Sequence, residues 1–323
     1  MLTATHYYKI FIDTPPKTCF MEFGRVTEAE LADVDFSLPA EPDSNKVFYT
    51  PNNNRLHKTA VYFGCPRWGT KDWVGKIYPT GTKEANFLNN YPNHFGAVEL
   101  NATHYKIHTA AEIKRWAEKV GGRQFKFCPK IPQLISHYSG FRNADQLTTA
   151  FLEGIMAFEN HLGPVFLQLS DKYSPAGRDV LFKYLQSLPT DVQFFLEVRH
   201  QDWFGDKMVI NELLHTLRAL NMGFVITDTA GRRDCAHLHL TTPKVFIRFV
   251  GNNLHKSDYL RADDWINRIK FWVNNGIEEI YFFIHMQNEA TSPPLTVYMV
   301  EKLNVACGLK VIKPIFETKG LLF

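Results

Sequence analysis

The sequence predicts an α/β fold, a single (β/α)8 TIM-like barrel over residues 59–323 carrying an irregular N-terminal extension over residues 1–58. Three observations predict it. Short apolar runs rich in Val, Ile and Phe alternate with amphipathic stretches of helical period, the pattern of βα units feeding a parallel sheet. There are eight such runs, with a closing helix after the last. The length of 323 residues accommodates a barrel of about 250 residues and an extension, and no Gly-rich turn of the open doubly wound type follows the first run.

The elements follow in order. Residues 27–55 are rich in Asp, Glu, Pro, Ser and Asn without a sustained period of 2 or 3.6, so the extension is expected to drape irregularly over the barrel. The first two strands are expected at 60–64 and 97–101, with a helix at 83–91 between them. Strands at 125–130, 165–169 and 194–198 follow, interleaved with helices at 111–119, 144–160 and 178–187. Strands at 223–228, 245–249 and 279–284 complete the set, with helices at 210–220, 263–275 and 294–305. The connection between the sixth and seventh strands has room only for a loop and a short helical turn. Pro129 cannot donate a ladder hydrogen bond, so the third strand is expected to bulge or stop there, releasing Lys130 and the loop carrying His137 towards the mouth.

Composition narrows the function classes. A hydrophobic fraction of 45% with 21% charged residues excludes disorder as the main state, and the 14% aromatic content, with 26 Phe, is high. The formal net charge of +3 gives no field that selects duplex nucleic acid. Apolar runs such as 280–284 are far shorter than a membrane span, and the chain opens without a charged-then-apolar leader, so a cytoplasmic protein is expected. The five cysteines include no Cys-x-x-Cys pair and read as reduced thiols. No nucleophile elbow, P-loop, His-Glu-x-x-His or dinucleotide fingerprint is present, so no nucleotide cofactor is expected.

Catalytic groups of barrel enzymes sit at the carboxyl ends of the strands. Those ends carry Arg67 after the first strand, Glu99 and Asn101 on the second, Lys130 on the third and Gln168 on the fourth. They continue with Glu197, Arg199 and His200 on the fifth, Asp228 on the sixth, Arg248 on the seventh and His285 on the eighth. Side chains alternate along a strand, so Glu99 and Asn101 share one face, as do Glu197 and Arg199. A buried carboxylate moved towards neutrality serves as general acid or base, and arginines hold anions bidentately. The competing reading is a paired internal network in which Lys130, Arg199 and Arg248 neutralise Glu99, Glu197 and Asp228. His237 and His239 share a face and, with His285 or Asp228, could hold a divalent metal; a hydrogen-bonding pair is the plainer reading. Trp68, Trp73, Tyr105, Tyr138 and Trp203 lie on loops after strands, where they either stack on a ligand or seal the barrel top. Arg232 and Arg233, beside a glycine after the sixth strand, either hold an anion or are solvated.

Several segments then become recognisable together: Tyr-Phe-Gly-Cys-Pro-Arg-Trp-Gly (62–69), Val-Glu-Leu-Asn-Ala-Thr-His-Tyr (98–105), Phe-Lys-Phe-Cys-Pro-Lys (125–130), Ile-Ser-His (135–137), Gly-Pro-Val-Phe-Leu-Gln-Leu (163–169), Leu-Glu-Val-Arg-His-Gln-Asp-Trp (196–203) and Ile-Thr-Asp-Thr (226–229). In order and spacing they resemble the YecE-like family, domain of unknown function 72, from about residue 61 to the final helix. The resemblance implies a TIM-like barrel and no particular activity. By motif it implies site residues Glu99, Asn101, Tyr105, Lys130, His137, Gln168, Glu197, Arg199, His200, Trp203 and Asp228. Family members often show an Asn-Asn pair after the eighth strand, where this chain has His285-Met286-Gln287-Asn288.

The expectation is an enzyme acting on a small polar metabolite, anionic or sugar-like, at the mouth. Glu99 or Glu197 would be the general acid or base, with Lys130, His137 and Asp228 as further catalytic candidates and Lys130, Arg199 and Arg248 binding and neutralising negative charge. Two alternatives are metal-dependent phosphodiester or sugar chemistry on Glu99, Glu197, Asp228 and His239 or His285, and a non-catalytic ligand-binding or regulatory module. No membrane or duplex nucleic-acid partner is expected, and the oligomeric state is left undecided.

Overall fold

The computed structural model describes residues 24–50 and 58–317. Eight parallel strands run in chain order as β1 Ala60–Cys65, β2 Ala97–Leu100, β3 Lys126–Pro129, β4 Val165–Gln168, β5 Phe194–Glu197, β6 Gly223–Asp228, β7 Lys244–Val250 and β8 Glu279–His285. Their order in the sheet is β3-β2-β1-β8-β7-β6-β5-β4, which is sequential around a ring. The helices are α1 Phe87–Asn90, α2 Ala102–Tyr105, α3 Ala110–Val120, α4 Asp145–Ile155, α5 Arg178–Gln186, α6 Asp202–Gly205, α7 Lys207–Ala219, α8 Lys256–Asn274 and α9 Ser292–Cys307. Strand, helix and closing helix together make the (β/α)8 TIM-like barrel that the alternation predicts.

The ring closes weakly between β3 and β4. There the ladder is reduced to single bridges, Phe127 with Leu162 and Lys130 with Phe166, and the Ile131 amide donates to the Phe166 carbonyl at 2.9 Å. Pro129 ends β3 as its missing amide hydrogen requires. The amide of Lys130 then donates to Thr103 Oγ1 at 3.0 Å, so the chain leaves the sheet with its backbone satisfied.

The inside of the barrel is aromatic. Tyr62, Ala97, Cys128, Phe166, Phe195, Val225, Phe246, Tyr281 and Phe283 pack there as one cluster, all at one strand parity. The opposite parity, including Phe63, Phe127 and Ile247, packs outward against the helices. Gly64 is needed at this wall, because a Cβ there would lie 2.1 Å from the Ala97 carbonyl oxygen and 2.9 Å from the Phe283 ring.

Differences from the expected elements have local causes. The helix expected at 83–91 is realised as one regular turn, α1, between the short 3-10 turns Glu84–Asn86 and Tyr91–Asn93, the regular geometry failing at Asn86, with φ −104° and ψ 0°. The helix expected at 144–160 ends at Ile155, and a 3-10 segment continues to His161 with Glu159 at φ 51°. α8 begins seven residues earlier than expected, because the His255 side chain accepts from the Ser257 amide and caps it. Two one-turn helices, α2 and α6, follow β2 and β5 directly. The β6–β7 connection carries only the 3-10 segment Ala230–Cys235, as its length suggests.

The described part of the extension lies along α8 and the β6–β7 connection. Asn45 is fully buried, its amide donating to the Leu238 carbonyl at 2.7 Å and its Oδ1 accepting from the Leu240 amide at 2.8 Å. Glu41 pairs with Arg268 of α8. Among the described residues no helix is long and apolar enough to cross a membrane.

Candidate functional site

Two residues beyond the aromatic layer, the inward side becomes polar on every strand but β1, where Tyr62 is followed by Gly64. The step runs from Ala97 to Glu99, Cys128 to Lys130, Phe166 to Gln168, Phe195 to Glu197, Val225 to Thr227, Phe246 to Arg248 and Phe283 to His285. Strand alternation alone therefore lays a ring of polar groups on the aromatic floor.

Arg248 sits at the centre of this ring and is 1% exposed. Its Nε and Nη2 donate to Glu99 Oε2 and Oε1 at 2.8 and 2.9 Å, and its Nη1 donates to Glu197 Oε2 at 2.8 Å. Glu197 Oε1 also accepts from Arg199 Nε at 2.8 Å and Thr227 Oγ1 at 3.0 Å. Glu99 further accepts from Asn101 Nδ2 and from His285 Nε2, both at 2.9 Å. A carboxylate can only accept, so His285 carries its hydrogen on Nε2. Burial lowers the His285 pKa despite Glu99 beside it.

These contacts fix the protonation states. Burial alone would raise Glu99, but Arg248 and His285 outweigh it and hold it well below the usual carboxylate range. Glu197 is likewise held down, to about 2, by Arg199 and Arg248 against the opposing effect of burial. The expectation that burial moves these carboxylates towards neutrality fails because each oxygen already has a charged or hydrogen-bonding donor. Both are fixed anions that orient guanidinium groups.

Lys130 behaves differently. Its Nζ donates to Gln168 Oε1 at 3.0 Å and lies 5.8 Å from the centre of the Phe166 ring. Among the described residues no carboxylate approaches it within ion-pair distance. Burial, then the charges of Arg248 and Arg199, depress its pKa to about 7, with Glu99 and Glu197 opposing.

The other expected site residues divide. Asn101 joins the ring as above. Arg199 is buried, and its carbonyl accepts from Arg232 Nη2 at 2.6 Å; Arg232 also pairs with Asp234 at 2.9 Å, so it braces the backbone of Arg199. His137 lies on the turn Leu134–Tyr138, its ring centre 5.1 Å from that of His104, and burial with the charges of Lys130 and Arg199 lowers it to about 4. Tyr105 and Tyr138 are 50% and 72% exposed, and Arg67, which follows β1, is also exposed. His200 is half-buried and accepts from the Asp202 amide at 3.2 Å.

Two assignments need correction. Trp203 is fully buried and its indole donates to the Tyr173 carbonyl at 2.9 Å; α6 turns it into the core, so it seals rather than stacks, as does Trp73. Asp228 has the opposite parity to Thr227 and faces the helices. There it accepts from Arg261 Nε at 3.1 Å and Trp265 Nε1 at 2.7 Å and pairs with Arg233. It is thus outside the ring, and the metal set of Glu99, Glu197, Asp228 and a histidine is not assembled. His237 is also committed elsewhere, its Nε2 3.1 Å from the Val225 carbonyl and its ring stacked on Phe224 at 4.1 Å. Among the described residues no group of three or more His, Cys, Asp or Glu could hold a metal.

Sequence reasoning passed over Thr227, which the alternation of β6 gives once Val225 is placed inside. It also passed over His104, buried with Nδ1 2.8 Å from the Ile131 carbonyl and lowered to about 2 by burial and Lys130. Glu289 was missed too; burial raises it to about 7 against a hydrogen bond from Ser292, and no local pattern marks it.

The comparisons agree with this architecture. The model of a family described as "Protein of unknown function DUF72" matches residues 62–315. UPF0759 protein YecE of Escherichia coli is 29% identical over 264 residues, covering 75% of this chain and 92% of that protein. UPF0759 protein YunF of Bacillus subtilis is 27% identical over 152 residues, 45% of this chain and 52% of that one. Crystal structures of DUF72 family proteins from Thermotoga maritima and Enterococcus faecalis superpose with TM-scores of 0.61 and 0.60 at 21% and 16% identity. They cover 76% and 80% of this chain and 99% of each of theirs. With the family model spanning most of the barrel, the chain belongs to the DUF72 family.

Proposed function

We propose that the mouth of the barrel binds a small anionic metabolite and transforms it, with Lys130 as the group that takes up or gives up the proton. The observation that carries this reading is the contrast between Lys130 and its neighbours. Glu99 and Glu197 are matched by Arg248 and Arg199, which leaves Lys130 as a buried cation held by a neutral amide oxygen. A lysine titrating near neutrality is suited to proton transfer at physiological pH. An anion arriving beside it supplies the missing partner. Thr227, Gln168 and Asn101 add neutral hydrogen-bonding groups, and Tyr105 at the end of α2 and Tyr138 at the end of the turn after β3 stand exposed for stacking on a planar or sugar-like body.

Anion binding stabilises the protonated lysine, so affinity should fall as pH rises through about 7. The test is a thermal-shift and turnover screen of small phosphorylated and carboxylated compounds on the wild type and on Lys130→Met. Stabilisation and conversion that both vanish in the variant support the reading. Conversion that survives intact in Lys130→Met overturns it, and stabilisation without conversion of any compound favours a binding module instead.

A further inference from the structure

We infer that Lys130 Nζ forms a covalent imine with the carbonyl carbon of its substrate, an aldehyde or ketone that also carries a carboxylate or phosphate. This deepens the preceding reading and rests on it. The hydrogen-bond geometry carries it. A lysine ammonium has three hydrogens to place, yet among the described residues Nζ has one hydrogen-bond acceptor, Gln168 Oε1 at 3.0 Å. A protonated imine keeps one N–H, which that oxygen accepts. The same positive charge then sits in the same place, 5.8 Å from the Phe166 ring.

The surroundings favour the amine as nucleophile. Lys130 is 7% exposed, and the guanidinium groups of Arg248 and Arg199 oppose a third positive charge beside them. Two imidazoles, His104 and His137, lie close enough for Lys130 to depress both, so they add no positive charge beside the amine.

The step balances without a further reactant. Uncharged Nζ bonds to the carbonyl carbon as the C=O π pair moves onto oxygen, and that oxygen takes one proton from the nitrogen. The C–O bond of the carbinolamine then breaks as the oxygen takes a second proton, drawn from solvent, and leaves as water. The nitrogen lone pair forms the C=N bond of the protonated imine.

The test uses the full chain at pH 7 with glyoxylate or pyridoxal phosphate as probes, trapped by sodium borohydride and mapped by peptide mass spectrometry. The inference expects the reduced adduct on Lys130 in preference to exposed lysines by roughly a hundredfold, because far more of a lysine with a depressed pKa is uncharged at that pH. Loss of that adduct in Lys130→Arg confirms the site. Labelling spread over surface lysines, with Lys130 no more reactive than they are, overturns the inference even if the variant folds poorly, since the wild type alone gives the answer. Glycolate and inorganic phosphate, which have no carbonyl, separate the two readings. If they stabilise the wild type while no imine is trapped, anion binding stands and the imine falls; if no anion of either kind stabilises it, the anion-binding reading falls as well.

Discussion

The chemistry turns on which charged side chain is left over. Arg248 holds two buried carboxylates at once, and removing one partner of a buried pair leaves uncompensated charge. Arg248→Met should therefore lower stability by about 3–5 kcal/mol in urea unfolding, whereas a change within the scatter of surface substitutions would show that the ring is not electrostatically coupled. Lys130 gives the opposite signature. Its folded-state pKa of about 7 lies below that of an unfolded lysine, so between about pH 7 and 10 the unfolded chain binds more protons than the folded one, and stability from this group rises with pH across that window. Lys130→Met should flatten that rise when unfolding is followed from pH 6 to 10. The inward residues of this ring were legible because alternation is a local property: Glu99, Gln168, Glu197, Arg248 and His285 all follow from parity. Asp228 shows the limit of reading strand ends without parity, since its neighbour Thr227 takes the inward position. The saturation of Glu99 and Glu197, and the isolation of Lys130 from any described carboxylate, depend on partners from other strands that no local pattern reveals.

At the scale of elements, the strands were legible to within about a residue at most ends, because each is a Val-, Ile- or Phe-rich run bounded by polar groups. The helices were less so. Those at 83–91 and 144–160 are interrupted at Asn86 and by the positive φ of Glu159, backbone choices that a helical period cannot disclose. α2 and α6 were missed because one-turn helices have no period to detect, yet they steer Asn101 into the ring and Trp203 into the core. Close approach of β1 and β2 depends on Gly64, so Gly64→Ala should cost about 1–3 kcal/mol or more through overpacking. A thermal midpoint equal to that of the wild type would contradict the tight contact drawn there.

On the scale of the whole molecule, the barrel was legible from the count and order of its strands, and the extension from its lack of any period. Where the extension attaches was not, because Asn45 reaches backbone groups nearly two hundred residues away. Asn45→Ala would leave the Leu238 carbonyl and Leu240 amide buried without this partner, and should cost about 2–4 kcal/mol; a loss of a few tenths in denaturant titration would mean the extension is only loosely held. The central claim concerns the mouth as a unit, a matched set of Glu and Arg residues around one lysine that is easily deprotonated. An NMR titration of the Lys130 side chain in selectively labelled protein tests it most directly. The account predicts a midpoint near 7, moving upward when a small anion is bound; a Lys130 that stays protonated to pH 10, like an exposed lysine, would contradict it.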